Sequence, residues 1–310
     1  MTGPERIVAG MLSRRTVLVA PLSVFALRSV EASSKMTLGL HQNTSSPAGY
    51  RKSLEGWARA GIKHVELTSN LVDDFLKTDT IAAARRVLTD NELTAVSASS
   101  GVGGIFEPNP NRAAALDGLK RRCEMFAELG LTRIYQSTGT SPSAKFTLDD
   151  YRAAAANMRE VGEIAGQYKL TFMVEALRNS AFISTVSTLI KVTREAAHPN
   201  LKPLLDFYHF WSGLSKFEDL DTLHPGEIGH VHFQDVPDMP RELLDSTTRV
   251  IPGEGVAPVE RILRKLAEKG YSGTLSVELF LPRFQQGEPY EVASEIRRKA
   301  EPVMRKAGVL

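Results

Sequence analysis

The sequence predicts an α/β fold: a single (β/α)8 TIM barrel at residues 36–310, preceded by a signal-like segment at residues 1–35. Short apolar runs alternate with helical patterns, which is typical of βαβ units around a parallel sheet. The 310 residues leave room for one barrel of ~250 residues behind a leading segment. An open doubly wound sheet is the alternative. However, the segment after the first run, HQNTSSPAGY, lacks the G-x-G-x-x-G turn with which such sheets bind dinucleotides.

The predicted strands are short and mostly apolar, as strands buried on both faces of a sheet should be. In chain order they are Thr37–His41, His64–Leu67, Thr94–Ala98, Arg133–Gln136, Leu170–Glu175, Lys202–Asp206, Ile228–Phe233 and Thr274–Leu279. The predicted helices are Tyr50–Ala60, Thr80–Thr89, Arg112–Leu129, Leu148–Tyr168, Val186–Ala197, Lys216–Leu223, Pro258–Lys269 and Tyr290–Lys306. Gly130 and Gly270 directly follow two of these helices, where a left-handed residue commonly ends a helix.

The first 35 residues have the three parts of a secretory signal peptide. Arg14 and Arg15 precede an apolar run from Val17 to Leu27, and Val30-Glu31-Ala32 offers small residues for cleavage. The paired arginines indicate the twin-arginine route. The run is too short to cross the ~30 Å of bilayer hydrocarbon, so no stable membrane span is expected. The segment predicts a periplasmic protein, whereas translation from Met36 would give a cytoplasmic one.

The composition is that of a folded globular chain and excludes several classes of protein. Hydrophobic residues make up 42% and charged residues 24%, which excludes a disordered chain. The 38 basic and 36 acidic residues give a net charge of +2, so we expect no nucleic-acid partner. Cys123 is the sole cysteine and cannot form an internal disulfide. Its position in the amphipathic run LKRRCEMFAELG predicts a buried side chain.

The last four predicted strands each carry an ionisable residue at or next to their C-terminal end: Glu175, Asp206, His232 and Glu278. In a barrel these strand ends meet around one axis, where three carboxylates would repel one another unless a cation neutralised them. Three carboxylates and one imidazole are a hard, oxygen-rich ligand set. This set predicts one divalent ion, Mn²⁺ first, with Mg²⁺ or Co²⁺ as alternatives. We expect only one of His230 and His232 to face the barrel interior.

Other roles for these residues are compatible with the sequence. Asp206 and Glu278 could form ordinary ion pairs, for instance with Arg178 or Arg249. His41 and Glu66 lie at the ends of the first and second strands. For these two residues, substrate binding at the pocket wall and structural pairing are equally compatible with the pattern.

Five motifs occur in chain order at the strand ends or in the loops that follow. They are MVEAL around Glu175, LLDFYH around Asp206 and His209, GHVHFQD around His232, RVIPGEG from Arg249, and LSVELF around Glu278. Over residues 36–306 the chain thereby resembles the xylose isomerase-like TIM-barrel superfamily, the sugar phosphate isomerase/epimerase family. Its pattern is most similar to the ketose 3-epimerases. The resemblance implies that Glu175, Asp206, His232 and Glu278 bind one divalent metal, and that His209 and Arg249 bind substrate oxygens.

The chain departs from the epimerase pattern at two places that border the pocket. Ala181 stands six residues after Glu175, where those epimerases have a further glutamate. An insertion, roughly Val236–Thr247, precedes Arg249. Both departures argue against a free ketohexose as substrate but not against the metal. Gly253–Gly255 is a weak candidate for a phosphate cradle, so we also expect no phosphorylated substrate.

The resemblance implies a sugar isomerase or epimerase in which Glu175 and Glu278 abstract and return a proton alpha to a carbonyl, through a metal-stabilised enediolate. A dehydratase or lyase acting on a keto-sugar or keto-inositol at the same site is the alternative. A non-catalytic sugar-binding barrel is an alternative of another class. The expected partner is a small sugar or keto-sugar. The superfamily's DNA-repair enzymes carry a histidine after the third strand, which VSASSGVGG lacks. Since relatives often form dimers or tetramers, a homo-oligomer is expected.

Overall fold

In the computed structural model, which describes residues 35–310, eight parallel strands close into a barrel in chain order. They are β1 (Thr37–His41), β2 (His64–Thr68), β3 (Thr94–Ser99), β4 (Arg133–Ser137), β5 (Thr171–Glu175), β6 (Leu201–Asp206), β7 (His230–His232) and β8 (Thr274–Val277). β8 pairs with β1, with Gly39 opposite Ser276, and this pairing closes the sheet. The predicted barrel is confirmed, and the open sheet is excluded. The signal-like segment, apart from Lys35, lies outside the described residues.

Helices on the outside of the barrel cover the strands. The α-helices of residues 35–310 are α1 (Gly49–Arg59), α2 (Ser69–Leu76), α3 (Ile81–Asp90), α4 (Arg112–Glu128), α5 (Leu148–Gln167), α6 (Val186–Ala196), α7 (Phe207–Ser212), α8 (Val259–Glu268), α9 (Pro282–Gln285) and α10 (Pro289–Ala307). Seven of the predicted helices correspond to α1, α3, α4, α5, α6, α8 and α10. None of these helices is long and apolar enough to cross a membrane.

The short helices α2, α7 and α9 were not predicted, and one predicted helix is not formed. The short helices α2 and α7 follow their strands without an intervening loop, and no gap in the sequence marks their starts. The stretch Lys216–Leu223, expected to be a helix, contains a 3₁₀ turn at Phe217–Thr222. Pro225 disfavours helical geometry at the preceding residue, so the turn cannot extend into a longer helix.

The helices pack on the sheet through apolar faces. In α8 the side chains of Ile262, Leu263 and Leu266 are fully buried, at the spacing of one helical face. Cys123 on α4 is also fully buried, as predicted, and burial raises the pKa of its thiol to about 12. The strands that this packing aligns end at one mouth of the barrel, where the four predicted metal ligands lie.

Candidate functional site

Four ionisable side chains meet at the C-terminal mouth of the barrel. Glu175, Asp206 and His232 are the last residues of β5, β6 and β7, and Glu278 directly follows β8. Nδ1 of His232 lies 3.0 Å from Glu175 Oε1, 3.5 Å from Asp206 Oδ2 and 3.7 Å from Glu278 Oε2. Each residue is at most 4% exposed. The convergence expected from the sequence is therefore present in the fold.

This donor set fits a divalent cation. One ligand atom from each of Glu175, Asp206, His232 and Glu278 lies within 4.8 Å of all the others. Three carboxylate oxygens and an imidazole nitrogen are ligands that such ions accept, and their combined negative charge needs a positive partner. These four side chains would hold one ion and leave coordination positions open towards the cavity above them.

The three carboxylates differ in how easily they ionise. Burial raises the pKa of Glu175 to about 7. Burial acts in the same direction on Glu278 and Asp206, but the nearby Arg249 is among the charges that outweigh it there. The pKa of Glu278 falls to about 2, and that of Asp206 falls below its ordinary value. Arg249 does not contact Glu175, and Glu175 is therefore the carboxyl group of the three that retains its proton most readily.

Arg249 and His209 lie beside these carboxylates as one hydrogen-bonded unit. Nη1 of Arg249 contacts the Glu278 carboxylate and lies 3.3 Å from Asp206 Oδ2, so the alternative ion pair with Arg249 forms within the cluster. Nη2 of Arg249 donates to Nε2 of His209 at 2.9 Å. The backbone N–H of His209 donates to Asp206 Oδ1 at 2.7 Å, which caps the start of α7.

Arg178 does not form the alternative ion pair with Asp206 or Glu278. Its guanidinium donates to the backbone carbonyls of Leu244 and Arg241. It thereby attaches the inserted segment to the loop after β5. Tyr208 adds a second attachment, since its hydroxyl donates to the carbonyl of Asp245 at 2.6 Å.

The structure favours structural pairing, rather than substrate binding, as the role of His41. Its side chain is fully buried and does not line the cavity. Its Nδ1 accepts from the backbone N–H of Asn43, and its Nε2 lies 2.9 Å from the Tyr135 hydroxyl. Asn43 in turn donates to Glu278 Oε1 at 2.9 Å. His41 therefore orients Asn43, and Asn43, rather than His41, lies at the cavity wall.

Glu66 is likewise buried beneath the cavity. Its Oε2 lies 2.8 Å from His230 Nε2 and 3.3 Å from His232 Nε2. Both histidines therefore face the interior, and the expectation that only one would do so is wrong. Residues two apart on a strand share a face, so His230 and His232 necessarily point to the same side. These contacts favour structural pairing as the role of Glu66.

Several residues of the site were missed in the sequence. Tyr135 and Asn43 contact His41, and Gln234 donates to Asp206 Oδ2 at 2.6 Å. The two-residue spacing between His232 and Gln234 was a usable signal, since both side chains fall on one face. No comparable pattern marks Tyr135, whose role depends on a contact between distant strands.

A cavity of about 250 Å³ opens above the cluster. Its acidic wall consists of Glu175 and Glu278, and Leu177 and Phe280 supply apolar surface. Its neutral hydrogen-bonding side chains are Asn43, Ser99, Tyr135, Gln136, Ser137 and Ser246. Ser246 belongs to the predicted insertion. Among the described residues that line this cavity, Arg249 is the sole arginine or lysine.

The weak phosphate cradle is occupied by a side chain of the protein itself. The backbone N–H groups of Gly253, Gly255 and Ala257 donate to the carboxylate of Asp235 at 3.0–3.1 Å. A Cβ at Gly255 would lie 2.5 Å from Asp235 Oδ1, so the close approach requires glycine. The loop therefore binds an internal anion.

The family model described as xylose isomerase-like TIM barrel matches residues 54–301. The chain belongs to this family. Members similar in sequence include the inosose isomerase of Halalkalibacterium halodurans, 25% identical over 76% of this chain and 84% of that protein. The 3-dehydroshikimate dehydratase of Pseudomonas putida is 27% identical over 55% of this chain, but only 27% of that protein is covered.

Solved structures of other proteins share the fold. An IOLI protein with a bound zinc atom superposes with a TM-score of 0.82 at 20% identity, over 88% of this chain and 99% of that one. D-psicose 3-epimerase in the presence of D-fructose gives a TM-score of 0.72 at 18% identity, over 89% of this chain and all of that one. The family's similar members are thus enzymes named as isomerases, epimerases and dehydratases.

Proposed function

We propose that this chain is a divalent-metal-dependent isomerase or epimerase of an uncharged polyhydroxy ketone. The observation that carries the proposal is the meeting of four metal-type ligands directly below a small cavity. Glu175, Asp206, His232 and Glu278 would hold the ion, with Mn²⁺ as the first choice. The bound ion would polarise the carbonyl and adjacent hydroxyl oxygens of the substrate.

Proton transfer is assigned to Glu175 and Glu278. Of the four converging side chains, these two line the cavity. They come from the ends of β5 and β8, which are separated by β6 and β7, so their carboxylates approach a substrate from different sides. One carboxylate can remove the proton alpha to the carbonyl, and the other can return it to the opposite face or to the neighbouring carbon. Arg249 and His209 orient substrate oxygens beside them.

An uncharged substrate is supported by the charges at the cavity wall. The guanidinium of Arg249 is already shared between Glu278 and Asp206. The amides of the Gly253–Gly255 loop are bonded to Asp235. Among the described lining residues no further arginine or lysine is present for a carboxylate or a phosphate. The cavity instead offers hydroxyl and amide groups, which suit a ring of hydroxyls. An inosose is the first candidate because the Halalkalibacterium halodurans relative is an inosose isomerase.

The test is proton exchange followed by NMR. The full chain is loaded with Mn²⁺, then freed of excess ion and incubated in D₂O with inososes and ketoses. We expect one of them to lose its alpha hydrogen signal and to yield an isomer in which deuterium has replaced that hydrogen. Glu175→Gln and Glu278→Gln should each lower the rate by ~10²–10⁴-fold. Glu288→Gln changes an exposed surface glutamate and is the matched control. Wild-type rates in either active-site variant would contradict the proton-transfer assignment.

A dehydratase reaction is the second candidate, supported by the sequence similarity to 3-dehydroshikimate dehydratases. The same carboxylate would remove the alpha proton, and the beta carbon–oxygen bond would then break. A carbon–carbon double bond forms and water leaves. The product would be lighter than the substrate by one water and would absorb in the ultraviolet as an enone. A binding barrel without catalysis would retain the ketone but exchange no hydrogen.

A further inference from the structure

A layer of buried polar side chains lies below the metal-type ligands, inside the barrel. Glu66 on β2, His230 on β7 and Ser276 on β8 are each at most 2% exposed. Nε2 of His230 lies 2.8 Å from Glu66 Oε2 and 2.9 Å from Ser276 Oγ. A carboxylate in a barrel core is costly unless other groups compensate it. The proton-transfer scheme makes no use of this carboxylate, so its position needs another explanation.

The two ring nitrogens of His232 face different groups. Nδ1 faces the carboxylates, with Glu175 Oε1 at 3.0 Å. Nε2 faces the layer below, with Glu66 Oε2 at 3.3 Å, and makes no hydrogen bond of standard geometry within residues 35–310. A neutral imidazole carries one proton, and the nitrogen that binds a metal must be the unprotonated one. Metal binding through Nδ1 therefore requires the proton on Nε2, where Glu66 is the nearby acceptor.

We propose that Glu66 is a positioning residue of the metal centre, whose carboxylate accepts the Nε2 proton of His232 and thereby holds the tautomer that offers Nδ1 to the ion. The inference rests on the proposed metal-dependent function. It assigns to Glu66 a role through His232 and no contact with the substrate.

The surroundings of Glu66 favour this role. His230 holds the carboxylate from one side through its Nε2. The β2–β3 register shifts between Val65 and Glu66, because β3 has one extra residue, Val96, opposite this point. Such irregularities commonly occur next to active sites. Oε2 of Glu66 thus lies between the imidazoles of His230 and His232. His232 would bind the ion through its other ring nitrogen, Nδ1.

Metal affinity provides the test, because it does not depend on knowing the substrate. Mn²⁺ is titrated into metal-free full chain by calorimetry for wild type, Glu66→Gln and Ser276→Ala. We expect Glu66→Gln to bind Mn²⁺ about 10–100-fold more weakly. The glutamine amide carries no negative charge with which to attract the Nε2 proton of His232. Its NH₂ group is itself a donor and cannot accept a hydrogen bond from His230 or His232. Ser276→Ala removes a contact of His230 but keeps Glu66 beside His232, so its affinity should stay close to that of wild type.

A merely structural role for Glu66 predicts a different result. It would lower the Tm of the metal-free protein and leave the affinity for Mn²⁺ unchanged, and this result would overturn the inference. If Glu66→Gln does not fold, Glu66→Asp replaces it. That variant keeps the charge but withdraws the oxygen from His232, and affinity equal to wild type would again overturn the inference. If wild type binds no divalent ion, the proposed function fails as well. If wild type and Glu66→Gln both bind Mn²⁺ tightly, the role of Glu66 is contradicted but the proposed function is not.

Discussion

The guanidinium of Arg249 contacts the carboxylate of Glu278 at the barrel mouth, and both side chains are almost completely buried. The rings of Tyr208 and Phe280 lie 5.4 and 5.0 Å from the guanidinium carbon. The same guanidinium lies 3.3 Å from Asp206. Arg249 therefore compensates two of the carboxylates that the proposed ion would bind. Removal of the arginine should make the protein depend more strongly on that ion.

Replacement of Arg249 by glutamine tests this dependence. The change should destabilise the metal-free protein by about 3–5 kcal/mol, because it leaves a buried carboxylate without its partner. Added Mn²⁺ should restore part of the lost stability. Urea unfolding with and without Mn²⁺ measures both effects. Lys52→Gln, which breaks an exposed ion pair with Glu288, is the control and should show neither effect. An unchanged urea midpoint in Arg249→Gln would count against the compensation.

Two substitutions of Asp206 should separate its roles as metal ligand and helix cap. Asparagine can still accept the backbone N–H of His209, so Asp206→Asn should weaken Mn²⁺ binding without losing the cap. Asp206→Ala loses both functions and should cost a further ~1 kcal/mol of stability. Calorimetric titration and urea unfolding of the metal-free proteins provide the two readouts. Equal metal affinity in wild type and Asp206→Asn would remove Asp206 from the ligand set.

The contact between Asp235 and the glycine loop can be tested with a pair of glycine substitutions. A Cβ at Gly255 would lie 2.2 Å from the Val236 carbonyl oxygen, whereas a Cβ at Gly103 would meet no atom within 4 Å. Gly255→Ala should therefore lower the free energy of unfolding by ~1–3 kcal/mol. Gly103→Ala should leave the unfolding free energy nearly unchanged. Similar urea midpoints for the two variants would show that the loop is not tightly held.

The buried thiol of Cys123 predicts a pH-dependent reactivity. Burial raises its pKa to about 12, so at pH 8 the reactive thiolate is scarcer in the folded protein than in the unfolded chain. We expect no reaction with an aromatic disulfide reagent at pH 8 until urea unfolds the protein. Raising the pH to 9 should speed labelling of the unfolded chain and leave the folded one unlabelled. Rapid labelling of the folded protein would mean that α4 opens readily.

The strand order and the convergence of the ligands follow from local features of the sequence. Each strand is a short apolar run, and the residues that end β5, β6 and β7 are ionisable. A closed parallel barrel brings such ends together whatever the details of packing. For this reason the sequence alone predicts that Glu175, Asp206 and His232 lie close together.

The contacts beneath and beside the ligands were not predictable in the same way. The proximity of Glu66 and His232 depends on the stagger between β2 and β7, which lie on different sides of the barrel. The choice of Arg249 over Arg178 as the partner of Glu278 depends on the path of the inserted segment. Neither the stagger nor the path has a local signature, since both arise from packing between residues far apart in sequence.

Anomalous diffraction from crystals soaked in Mn²⁺ is the most direct measurement of the central claim. The account predicts one strong peak, at coordination distance of about 2.0–2.4 Å, from oxygens of Glu175, Asp206 and Glu278 and from Nδ1 of His232. A crystal of Glu175→Gln grown and soaked identically should show a weaker peak. A fully bound ion at another place, or no peak at these four side chains at saturating Mn²⁺, would contradict the account.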